Sequence, residues 1–78
     1  MSKLPLADAK KMEKILFQLG FARIRQKGSH VFYRRVFDGK TTTLPNHGGQ
    51  DLARPLIREV LREVEMTPEQ YVDFLNQI

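Results

Sequence analysis

Residues 21–45, FARIRQKGSHVFYRRVFDGKTTTLP, decide the fold. Three runs rich in β-branched and aromatic residues, Phe21 to Gln26, His30 to Phe37 and Lys40 to Pro45, are separated by Lys27-Gly28-Ser29 and by Asp38-Gly39. Glycine supplies the positive φ that tight hairpins need, and Asp-Gly between such runs is a hairpin signal. The stretch predicts three short antiparallel strands. Pro45 has no amide hydrogen to give to a ladder, so it closes the third strand or lies on an edge. Alternation in the second strand sets Val31, Tyr33 and Arg35 on one face and His30, Phe32 and Arg34 on the other. We read Val31 and Tyr33 as the buried set, joined by Ala22 and Ile24 from the first strand and by Thr42 and Leu44 from the third.

On either side the period changes from two to 3.6. Between Asp8 and Gly20, Met12, Ile15, Leu16 and Leu19 recur at i, i+3, i+4 and i+7, the apolar stripe of a helix, with Lys10, Lys11 and Lys14 off it. Gly20 suits the left-handed position after a helix end, with Phe21 folding back over the last turn. Downstream, Pro55 opens a second helix whose Ile57, Val60, Leu61 and Val64 repeat the pattern, while Arg58 and Arg62 fall on another side. Thr67-Pro68-Glu69-Gln70 offers an N-cap, a proline at N1 and a capping-box partner, with Met66 placed to staple against Tyr71. A short third helix is expected from Pro68 to about Gln77, burying Tyr71, Phe74, Leu75 and Ile78. The fold class is α+β: a helix, a three-stranded antiparallel sheet, a helix and a short C-terminal helix, with the helices on one sheet face.

The 78 residues, 41% hydrophobic and 28% charged, leave room for a single domain with a modest core. The chain has no cysteine, so no disulfide or thiolate metal site supplements that core. No apolar run approaches the roughly 20 residues that span a bilayer, and no signal peptide is visible, so we expect a cytoplasmic protein. Residues 1–40 carry ten Lys and Arg against Asp8, Glu13 and Asp38, a net of +7, whereas residues 41–78 carry three Arg against six acids. A basic surface attracts phosphate backbones and releases their counterions, which makes nucleic acid the leading partner class; the alternative is a merely solvated face.

Two histidines are the whole stock of near-neutral acid/base groups. His30 follows the Gly28-Ser29 turn among Lys27, Arg34 and Arg35. An imidazole can take the proton of a ribose 2′-hydroxyl while neighbouring cations stabilise charge on the phosphate, the parts that a metal-free ribonuclease needs. Equally, such a histidine can only contact phosphate or cap a turn. His47 lies in Pro45-Asn46-His47-Gly48-Gly49, whose backbone amides can hold a phosphate and whose imidazole can serve as a second acid/base group, or which only ends a strand. The two histidines and the scattered acids form no recognised metal cluster, so neither a metal nor another cofactor is expected. Phe32, on the His30 face, is either a stacking platform for a base or a core or partner contact.

Taken together, Leu19-Gly20-Phe21, Arg25-Gln26-Lys27-Gly28-Ser29-His30, Thr42-Thr43-Leu44-Pro45-Asn46-His47-Gly48-Gly49 and Leu56-Ile57-Arg58-Glu59-Val60-Leu61 resemble the HicA toxin family over nearly the whole chain. The resemblance implies a fold like that of double-stranded-RNA-binding domains. It also implies a toxin of a type II toxin–antitoxin pair, an endoribonuclease that cleaves messenger RNA and is neutralised by a HicB antitoxin. It makes His30 the counterpart of the family's catalytic histidine, Gly28 and Ser29 the residues that present it, and His47 that of a recurring loop histidine. Arg25, Lys27, Arg34 and Arg35 are then expected to hold the RNA backbone. A non-catalytic RNA-binding module of the same fold is the alternative.

Overall fold

The computed structural model describes residues 4–46 and 48–78. Its elements are α1 (Ala9–Gln18), β1 (Phe21–Lys27), β2 (His30–Arg35), β3 (Thr41–Pro45), α2 (Arg54–Val64) and α3 (Pro68–Gln77). The strands form an antiparallel sheet in the order β1-β2-β3. Helix α1 packs on β1 and on α3, and α2 packs on β3, so that one face of the sheet is covered and the other is open.

Local chemistry sets the ends of these elements. Asp8 caps α1, its Oδ1 accepting from the Lys11 amide at 2.8 Å. The helix stops where Gly20 takes a φ of +93°, and the chain turns Phe21 into the core at 3% exposure. Thr67 and Gln70 form the expected capping box of α3, each side chain bonding the other's backbone amide. The stripes Met12, Ile15 and Leu16 of α1 and Ile57, Val60, Leu61 and Val64 of α2 are buried, and Val31, Tyr33, Thr42 and Leu44 meet them from the sheet. Thr42 satisfies its hydroxyl by donating to Glu63 at 2.7 Å. The segment before α1 is pinned across the helices. Tyr71 donates to the Pro5 carbonyl at 2.7 Å, and Arg54 Nε donates to that of Leu4 at 2.9 Å.

Three expectations are corrected. Ala22 and Ile24 are not buried; both are exposed, Ile24 at 53%. Burial of Phe21 directly after the helix turn fixes the parity of β1, so that Phe21 and Arg23 face the helices and Ala22 faces away. Arg23 is paired with Tyr33 and Arg25 with Phe32, which leaves Ile24 as the extra residue of a bulge. Val36 and Phe37 are not strand: the Gly39 amide donates to the Arg35 carbonyl at 2.8 Å and the Arg35 amide to the Lys40 carbonyl at 2.9 Å, closing a four-residue turn. In it Val36 and Phe37 are 83% and 79% exposed. Finally, Ile78 remains 40% exposed, while Phe74 and Leu75 pack at the border of the core.

Candidate functional site

Gly28 and Ser29 form a two-residue turn, with Lys27 paired to His30 across it. Gly28 has a φ of +59° and Ser29 a negative one, the pattern of a type II′ hairpin turn, whose twist matches that of the strands. Gln26 braces the turn by donating from Nε2 to the Gly28 carbonyl at 3.0 Å. His30 is therefore the first residue of β2, exposed on the open face of the sheet. On its other side it pairs with Pro45, and the Asn46 amide donates to the Ser29 carbonyl. The fold thus joins two sequence motifs 15 residues apart, the Gly28-Ser29-His30 turn and the start of the Pro45 to Gly49 loop. His47 itself lies outside the described residues. Beyond it Gly48 turns with a φ of +68°.

Alternation places Lys27, Arg25 and Arg34 on the open face with His30 and Phe32. The Arg25 guanidinium lies over the Phe32 ring at 4.7 Å from its centroid, a flat cationic surface of the kind on which a base can stack. Arg34, between Ala22 and Thr41, is exposed. The open face is therefore basic, with a ring at its middle and an imidazole near one end.

Arg35 is not brought to this face. Its side chain lies on the helix side, where it binds Asp38 at 2.8 and 3.1 Å and the Leu19 carbonyl at 3.3 Å. The rings of Phe21 and Phe37 lie 4.8 and 4.7 Å from the guanidinium carbon. Asp38 raises the pKa of Arg35 and is itself held below the ordinary carboxylate value by that hydrogen bond. The residue clamps the end of α1 to the β2–β3 turn.

A second polar cluster went unseen in the sequence. On the helix side of the sheet, Glu13 of α1 accepts from the Tyr33 hydroxyl at 2.6 Å and from Arg23. Partial burial acts to raise the Glu13 pKa, but the bonds from Tyr33 and Arg23 outweigh it and hold the carboxyl below its ordinary value. Burial, then the Glu13 carboxylate, push the Tyr33 hydroxyl up. Glu13 sits beside Met12 in the helix pattern, and the inward Phe21 sets the strand parity that aims Arg23 toward it; no local signal marks the pair.

Among the described residues no group of three or more His, Cys, Asp or Glu is placed to hold a metal ion. Nor, among the described residues, is any helix long and apolar enough to cross a membrane. Comparison with curated proteins gives no match. Comparison with family models does: the model of the HicA toxin of bacterial toxin–antitoxin systems matches residues 9–66, from the first turn of α1 through the end of α2 and with it the whole sheet, and the chain belongs to that family.

Proposed function

We propose that this toxin is a metal-independent endoribonuclease that cleaves messenger RNA, with His30 as its general base. The observation that carries the reading is the position of His30: exposed, fixed by the Gly28-Ser29 turn, and registered between Lys27 and Pro45 on an open basic face. In the proposed reaction His30 removes the proton from a ribose 2′-hydroxyl. The 2′-oxygen attacks the adjoining phosphorus, the bond from phosphorus to the 5′-oxygen breaks, and an acid returns a proton to that oxygen. His47 is the proposed acid, by its place in the loop that starts at Pro45. Lys27, Arg25 and Arg34 hold the phosphates and offset the charge that gathers on the phosphoryl oxygens. Arg35 is left out of this set because Asp38 and the Leu19 carbonyl occupy it.

The partner of a toxin of this family is an antitoxin, and we propose one of HicB type that covers the face around Phe32 with acidic residues. Such a complex weakens as salt rises. The test of the enzyme reading is degradation of RNA by the purified chain with a chelator present. His30→Ala is expected to lower the rate by at least about a hundredfold, the lower end of what a general base contributes, and to leave the fold intact because the side chain is exposed. The products should end in 2′,3′-cyclic phosphates. Equal rates for the variant and the parent, or 3′-hydroxyl ends, would overturn the reading; RNA binding without cleavage would leave the non-catalytic module.

A further inference from the structure

On the helix side of the sheet, under the strand ends that carry His30 and Pro45, lies an open cleft of about 380 Å3. Val31, Leu44 and Pro45 give it an apolar floor, and Glu13, Arg23 and Tyr33 a polar wall. Exposed Lys10 lines it from α1, and Asn46, Gly48 and Gly49 border it from the loop. We propose that this cleft is a nucleotide subsite, which receives one base of the RNA held at His30, and that Glu13 selects bases carrying an exocyclic amino group over uracil. The proposal rests on the RNA-cleaving reading and adds to it a substrate preference.

Four observations support it. The volume lies at the lower end of the roughly 300–1,000 Å3 typical of small-ligand sites, which suits a single nucleotide. The cleft shares its rim with the His30 site, because Pro45 pairs with His30 on one side of the ladder and Asn46 bonds Ser29. A chain crossing that rim can leave its phosphate near the imidazole and place the neighbouring base on the far side. Glu13 is a fixed acceptor: its side chain is 19% exposed, and Oε2 is held by Tyr33 and Arg23. An ionised carboxylate accepts hydrogen bonds and donates none. Adenine, cytosine and guanine bring amino hydrogens to it, whereas uracil brings two carbonyl oxygens flanking a single N–H. Arg23, with 49% of its side chain exposed, and Lys10 supply positive charge for the phosphate of the bound nucleotide.

The test needs no cleavage. The full-length chain, labelled with nitrogen-15, is titrated with the 3′-monophosphates of adenosine, cytidine, guanosine and uridine. The first three are expected to shift the amides of Val31, Leu44, Gly48 and Gly49 and to bind about tenfold more tightly than the uridine nucleotide, the worth of one charge-assisted hydrogen bond. Glu13→Gln should narrow that gap to about twofold, because an amide both donates and accepts. Lys10→Ala, a change at an exposed position that does not threaten the core, should weaken all four alike. Equal binding of all four by the unaltered chain, or shifts confined to the open face around Phe32, would overturn the subsite. So would a gap that survives in a folded Glu13→Gln protein. A chain that shows the predicted selectivity but cuts no RNA would instead overturn the nuclease reading and leave the subsite standing.

Discussion

Gly28 shows how one residue links backbone geometry to chemistry. Its φ of +59° lies where a side chain is strained, yet a Cβ added there would meet no atom within 4 Å. Gly28→Ala therefore separates conformational strain from crowding. The substitution is expected to cost about 1–2 kcal/mol, since positive φ penalises any L-residue with a Cβ, and to reduce RNA cleavage beyond the loss of folded protein because the turn aims His30. Thermal denaturation and a cleavage assay on the same preparation check it; unchanged stability would mean that the turn relaxes to another type. Arg35 teaches the converse lesson. From composition it belongs with the other cations near His30, but strand parity turns it inward and Asp38 occupies it.

At the scale of elements, the helix ends were legible because capping is local. Gly20, Pro55, Thr67 and Gln70 each act within a few residues of their own position, and each takes the place expected of it, while Asp8 caps α1 in the same local way. The end of α2 is different. Glu65 adopts the left-handed conformation, with φ +58° and ψ +46°, in a position where glycine is usual. Its pairing with Lys40 at 2.6 Å involves a side chain that is 69% exposed, so little is lost with it. Glu65→Gly is expected to stabilise the protein by about 0.5–1 kcal/mol, the strain relieved less the entropy that glycine adds to the unfolded chain, and to raise Tm by a few degrees. A lower Tm would show that the Lys40 pair outweighs the backbone strain. The first strand is the element that pattern reading misjudged. Its alternation gives the frame of a regular strand, but the bulge at Ile24 and the inward turn of Phe21 depend on packing against α1.

For the whole molecule, the titratable ties between helices and sheet predict a stability plateau. Glu13 joins α1 to β1 and β2 with a pKa below its ordinary 4.5, so its contribution is present above that value and is lost as the pH falls through the folded-state pKa. Burial, with the nearby Asp51 charge, pushes the Tyr71 hydroxyl up to about 12. The unfolded chain then ionises that group first, and stability falls as the pH climbs from 10 toward 12. Tm measured across this range should be flat between pH 5 and pH 9 and should decline on both sides; Glu13→Gln should shallow the acid branch. A Tm unaffected between pH 5 and pH 3 would refute the role given to Glu13. The sequence by itself determined the element order, both helix stripes, the caps, the open-face residues of β2 and the Gly28-Ser29-His30 turn. All of these follow from contacts a few residues apart or from strict periodicity. Only the tertiary structure decided that the Pro45 loop adjoins Ser29, that Asp38 and the Leu19 carbonyl occupy Arg35, and that Glu13, Arg23 and Tyr33 meet over a cleft. These rest on strand register and parity, which are set when distant segments pack together rather than by any residue's neighbours in the chain.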